Sequence, residues 1–321
     1  MENNLQTAAQ NSFPNRKSRQ FLNITLLIGL LALTTTMAAS SYSASRAAAV
    51  VAPPPQASMT GDWTAEFPKE KTDKIYLKLE RRTERGNKSI SGSDMLINEF
   101  QGLTREQAFS PKADVKFRLV REAGTFEFEG TFSAGRGSGV WSLTPSQAFI
   151  SEMRARGYDN LPEEKLFASA MIDVHVKTVD DLKAAGYDRL SFEDVIKATI
   201  FKITPAYISE LKSLGFENLE LEELVKARIF KIDAEFAREV REMGFGRETL
   251  ESLVKMRIFK ITPAFLREMR AAGLENLSVE DLVKLRIFKI DSDFIQRARA
   301  SGHTDLDVEE LVRLRIHDKV K

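Results

Sequence analysis

The 321-residue chain contains no cysteine, which excludes disulfides, thiolate nucleophiles and cysteine-ligated metal sites. It has only three histidines, His175, His303 and His317, and none stands in an HExxH pair or another metal-ligand spacing. There is no G-x-S-x-G elbow, and no histidine lies in a recognisable relation to a serine. The sequence therefore offers no catalytic constellation, no metal site and no cofactor site. An excess of one charge is also lacking, with 47 basic against 46 acidic side chains and a net charge of +1. Residues 146–321 carry 29 Lys and Arg against 32 Asp and Glu. That balance speaks against a nucleic-acid partner, although helix, glycine turn and helix superficially resemble a DNA-binding motif.

Long hydrophobic runs are scarce, and the one candidate is N-terminal. Arg16, Lys17 and Arg19 precede an apolar core over residues 24–33, after which residues 34–45 are small and polar. Ala38, Ala39, Ser40, Ser43 and Ala44 are candidate cleavage-site residues. Two expectations follow. Residues 1–45 hold a cleaved export signal, or residues 21–41 remain as an inner-membrane anchor just long enough to span a bilayer. Asn23, Thr25 and the threonines at 34–36 weaken the anchor. Either reading exports the remainder to the periplasm or cell envelope. The only membrane contact expected is through this segment if it is uncleaved. Residues 46–60, rich in alanine and proline, are expected to form an extended linker.

Residues 61–144 alternate apolar and polar side chains with the period of a strand. Trp63 and Phe67 mark a first strand, Ile75, Leu77 and Leu79 a second, Val115, Phe117 and Leu119 a third, and Phe126 and Phe128 a fourth. Val140 to Leu143 close the series after a glycine-rich stretch with Gly135, Gly137 and Gly139, which reads as a hairpin turn. The expectation is a small antiparallel β sandwich or barrel of five to seven strands. Residues 94–107 are expected to add a short helix or an irregular edge.

Residues 146–321 change period. Gly157, Gly186, Gly215, Gly244, Gly273 and Gly302 stand 29 residues apart, a spacing characteristic of stacked supersecondary units. In the copy from Thr262 to Ile290, Thr262 and Pro263 read as a helix start, and Phe265, Leu266 and Met269 as its apolar stripe. Gly273 is its stop. Ser278 opens a second helix, whose apolar positions include Leu282, Val283, Leu285 and Ile287. The sixth copy replaces Met269, Ala272 and Leu274 with Ala298, Ser301 and His303, as a polar end cap requires. The fold class expected is α+β multidomain: the β domain followed by an α-solenoid of six 29-residue helix-turn-helix repeats, right-handed by analogy with other helical solenoids.

Two charges recur in step with the repeat. Glu152, Glu210, Glu239 and Glu268 share a place in the first helix, and Arg228, Arg257, Arg286 and Arg315 share one in the second. The expected role is a ladder of ion pairs fixing one helix against another, and the alternative is a charged groove gripping a partner.

The order of segments GDWTAEF, FQGLTREQ, VKFRLVREAGTFEFEGTFSAGRGSGVW and YISELKSLGFENLELEELVKARIFKI resembles the extracytoplasmic C-terminal part of bacterial BlaR-type antirepressor metallopeptidases over about residues 60–321. In such proteins a multi-helix membrane peptidase precedes this region. Here one apolar segment and no zinc motif stand in its place, so no protease residue carries over. The RIFKI joint also departs from the RDHGV-like joint of those proteins. The resemblance implies a detached sensor or interaction module. The function expected is a non-enzymatic scaffold that binds a protein or peptide through its helical repeats. Two alternatives stay open: capture of a lipid or cell-wall fragment by the β domain, and regulation of a separate membrane peptidase.

Overall fold

The computed structural model describes residues 59–68, 73–82, 88–246 and 248–317. The expected export segment, and the linker up to residue 58, lie outside the described residues. The architecture is α+β, a seven-stranded antiparallel sheet followed by twelve α-helices among the described residues. No helix among them is long and apolar enough to cross a membrane.

The strands are β1 (Met59–Glu66), β2 (Lys74–Arg82), β3 (Lys88–Leu96), β4 (Phe100–Gln101), β5 (Ala113–Arg121), β6 (Gly124–Ser133) and β7 (Arg136–Pro145). They lie in the order β3-β2-β1-β7-β6-β5-β4, a single sheet rather than the two layers of a sandwich. The edges β3 and β4 are joined only by a 3-10 turn over Ile97–Glu99. Four steps of chain from Leu96 to Phe100 reach at most about 14 Å, so the two edges approach each other at that end and the sheet curls.

The concave face is filled with rings. Trp63 and Phe117 are 5.4 Å apart edge to face, and Phe117 stacks on Phe128 at 4.7 Å. Trp63 Nε1 donates to the Glu129 carbonyl at 3.2 Å, and Trp141 Nε1 to that of Asp62 at 3.1 Å, so neither indole N–H is wasted. The glycine-rich stretch divides its labour. Gly135 has φ of 84° and, with Ala134, makes the two-residue hairpin turn. Gly137 and Gly139 lie within β7, where a Cβ would meet the Phe132 ring at 2.7 Å and Trp63 Nε1 at 2.8 Å. These two clear room for rings. Between β4 and β5 in the chain, α1 (Arg105–Phe109) packs against β5, β6 and β7 and is capped by Thr104, whose hydroxyl accepts from the Gln107 N–H.

The remaining helices fall in pairs: α2 (Gln147–Ala155) with α3 (Glu163–Ile172), α4 (Val176–Ala184) with α5 (Phe192–Ile200), and α6 (Pro205–Ser213) with α7 (Leu221–Ile229). Then come α8 (Ala234–Glu242) with α9 (Leu250–Ile258), α10 (Pro263–Ala271) with α11 (Val279–Ile287), and α12 (Ser292–Ala300) with α13 (Val308–Ile316). The caps explain the boundaries. Thr204 and Thr262 accept from the N–H groups of Tyr207 and Phe265, each beside a proline at the first helical position. Asp233 and Asp291 do the same for Phe236 and Phe294. The glycine after each first helix has φ between 84° and 102°, the left-handed stop. From α3 onward each second helix packs on the second helix of the next pair.

The sheet's core does not end at residue 145. Phe149 and Met153 of α2 and Leu166, Phe167 and Ala170 of α3 belong to it. Phe167 lies 5.7 Å from Phe126 and 5.4 Å from Trp141. The buried Arg81 guanidinium sits 4.7 Å from the centre of the same ring. At the surface of this junction the Val176 N–H donates to Glu122 at 3.1 Å, and Glu122 also meets His175 Nδ1 at 2.8 Å. Arg121 pairs there with Glu99 and, at 3.5 Å, with Asp173.

Candidate functional site

Among the described residues the two recurring charges form no ion pair with each other; the four arginines and two of the glutamates, Glu210 and Glu268, bind the backbone instead. Arg228, Arg257, Arg286 and Arg315 stand on the last turns of α7, α9, α11 and α13. Their Nη2 atoms donate to the carbonyls of Lys202, Lys231, Lys260 and Lys289 at 2.8, 3.0, 3.1 and 3.2 Å. Those carbonyls lie just beyond the C-terminus of the preceding second helix, where orphan acceptors collect and a cation is favoured. Each guanidinium also covers an aromatic ring of the first helix in its own pair: Tyr207, Phe236 and Phe265 at 3.6 Å, and Phe294 at 4.7 Å. One arginine thus ties three helices together. Desolvation lowers the pKa of Arg286 from its ordinary value, opposed by the Glu268 carboxylate, and the group stays charged.

The glutamates act at the other end of the helices. Glu210 accepts from the N–H of Ala234 at 3.0 Å and Glu268 from that of Ser292 at 3.1 Å, both first-turn donors of the next pair. The corresponding residue for Glu239 is Pro263, which has no N–H to give. Glu152 instead pairs with Arg156 at 2.7 Å, and Arg156 bridges to Asp180 of α4. The hydrogen bonds that Arg156 donates to Asp180 and Glu152 push its pKa up, and the contact with Arg156 holds Asp180 below the usual carboxylate value.

An ion-pair ladder does exist, in residues that the reading of glutamates and arginines missed. Lys197, Lys226, Lys255 and Lys284 meet Glu222, Glu251, Glu280 and Glu309 of the next second helix, at 3.4 Å for the second pair and 2.7 Å for the third. Its signal was a Lys and a Glu 25 residues apart, recurring four times.

The three histidines are dispersed. His175 is at the sheet junction, His317 follows α13, and His303 lines a shallow polar hollow of about 470 Å³ at the last pair, with Asp305, Asp307 and Glu310. Asp307 caps α13 and Glu310 pairs with Arg313. Among the described residues no group of three His, Asp or Glu side chains is arranged to hold a metal ion.

Beyond the arginines the joints present Ile229, Ile258, Ile287 and Ile316 to solvent. Lys202, Lys231, Lys260 and Lys289 are left-handed there, with φ of 51–52°. Comparison with protein-family models, with curated proteins and with solved structures gave no match.

Proposed function

We propose that the chain is a non-catalytic binding scaffold in which the helix pairs stack as an α-solenoid of 29-residue units and engage a protein or peptide partner along that array. The observation that carries this reading is the recurrence of one joint, arginine over aromatic and into the preceding carbonyl, at four successive pairs, at 3.6 Å from the ring in three of them and 4.7 Å in the last. A joint repeated every 29 residues displays similar outward side chains at regular intervals, which suits an extended polypeptide better than a compact small molecule. Against the alternative of ligand capture by the β domain stands the filling of the sheet's concave face by Trp63, Phe117, Phe128 and Phe132. The resemblance to the extracytoplasmic region of BlaR-type proteins makes the cell envelope the proposed location and a membrane peptidase one class of partner.

The test is a cross-linked pull-down of the full-length, C-terminally tagged protein from the envelope, with cross-linked peptides mapped by mass spectrometry. A stoichiometric polypeptide joined to residues 205–317 is the expected result. Recovery of the protein alone, or cross-links confined to the sheet, overturns the scaffold reading.

A further inference from the structure

The joints between helix pairs carry a surface that stacking does not account for. Ile229, Ile258, Ile287 and Ile316 are 36%, 45%, 37% and 60% exposed. A single exposed isoleucine is ordinary, but these four hold the same position on packed neighbouring helices and so form a line. Each arginine near a helix C-terminus reaches the carbonyl just past the C-terminus of the preceding second helix, so the helices run parallel and the line is continuous.

The line is flanked by cations without partners. Lys231, Lys260 and Lys289 follow two residues after the first three isoleucines, and none forms an ion pair among the described residues. The nearby carboxylates of Asp233 and Asp291 are occupied in capping their own helices. These lysines also sit in the left-handed conformation that glycine adopts without strain, and the chain does place glycine at the turn inside every pair. At the joints it keeps a cation instead.

Resting on the scaffold reading, we propose that this line is the docking site for an acidic segment of a partner polypeptide, bound extended, with an apolar side chain at every third residue. The spacing sets the period. Packed helices lie about 8–10 Å apart, and three residues of polyproline II chain rise about 9.3 Å. An apolar residue at every third position meets successive isoleucines, while acidic residues between them meet the lysines. Nucleic acid fits less well: the Phe236 and Phe265 rings are already covered by arginine, and residues 146–321 are slightly acidic overall.

The experiment is fluorescence anisotropy of the full chain with a labelled dodecapeptide repeating leucine, aspartate and proline, a length of about 37 Å in extended form. The expected result is saturable, salt-sensitive binding, weakened about tenfold or more by Ile258→Ser with Ile287→Ser and by Lys260→Glu with Lys289→Glu, as hot-spot truncation does. All these side chains face solvent, and circular dichroism checks that the variants stay folded. A scrambled peptide of the same composition should bind at least about tenfold more weakly, because only the period is lost. Equal binding of the scrambled peptide, no binding of either, or tighter binding of a single-stranded oligonucleotide or of anionic vesicles overturns the proposal. If the envelope cross-links do fall on residues 205–317 while the dodecapeptide fails to bind, the scaffold stands and the partner chemistry assigned here is refuted.

Discussion

Replacing Arg286 by methionine separates the two accounts of the recurring charges. Methionine keeps the aliphatic stem but removes the donor to the Lys260 carbonyl and the cation over Phe265. An exposed cation over a ring is worth about 0.5–1 kcal/mol, and a cation at a helix C-terminus about 0.3–1 kcal/mol. The charge-assisted hydrogen bond adds about 1 kcal/mol once solvent screening is allowed for. The loss should therefore be about 2–3 kcal/mol, a fall of roughly 5 °C in the melting midpoint. Glu268→Gln keeps an oxygen acceptor for the Ser292 N–H and should cost about 0.5 kcal/mol or less. Urea melts followed by circular dichroism on both single variants and the double variant give the coupling. If stacking rests on backbone-directed arginines, the coupling is below about 0.5 kcal/mol. A coupling near 2 kcal/mol, with Glu268→Gln as costly as Arg286→Met, would show a Glu–Arg ladder instead.

Gly139→Ala should destabilise by about 1–3 kcal/mol or more because its Cβ would lie 2.0 Å from the Glu129 carbonyl oxygen; Gly246→Ala, with nothing within 4 Å, should be neutral or slightly stabilising in the same urea melt. Burial pushes the Tyr207 phenol up to about 12, above its unfolded value of about 10. Its contribution is therefore full below the unfolded value and lost as pH rises toward the folded one, and a phenolate absorbance titration should show a late-titrating tyrosine that disappears in Tyr207→Phe. Loss of amplitude near the ordinary value of about 10 instead would show the ring is not buried. Lys255→Met should lower stability by less than about 1 kcal/mol, since the Lys255–Glu280 pair is solvent-exposed. That small loss should shrink further in high salt.

Legibility in the sequence followed the physics of each element. β1, β2, β5 and β6 were visible because one face of each is buried and the other wet, so apolar residues alternate. β3 was not, because KSISGSDML lies at an edge and buries only Met95. Alternation also says nothing about pairing order, so a sandwich and a single curled sheet read alike until β3 and β4 are seen to share one short turn. The expected boundary near residue 145 hid a shared core, since the apolar face of α3 looks the same whether it covers Trp141 or another helix. Helix starts were legible through Thr262 and Pro263, and stops through the glycines. The joints were legible only in part: the arginines were noticed, but their acceptors are backbone carbonyls, which leave no mark in the sequence. Their aromatic partners, 21 residues earlier in each copy, read simply as core.

Docking of a partner polypeptide along the isoleucine line, as proposed above, can be read directly in cells. The most direct measurement places a photo-cross-linking residue singly at Ile258, at Ile287 and, as a control on the outer face of the sheet, at Val140, which is 57% exposed. The full-length protein is then irradiated in its own cells. A polypeptide adduct is expected from positions 258 and 287 and none from 140, with the attached peptide acidic. Adducts from 140 alone, or none from the two helical positions, would contradict that docking.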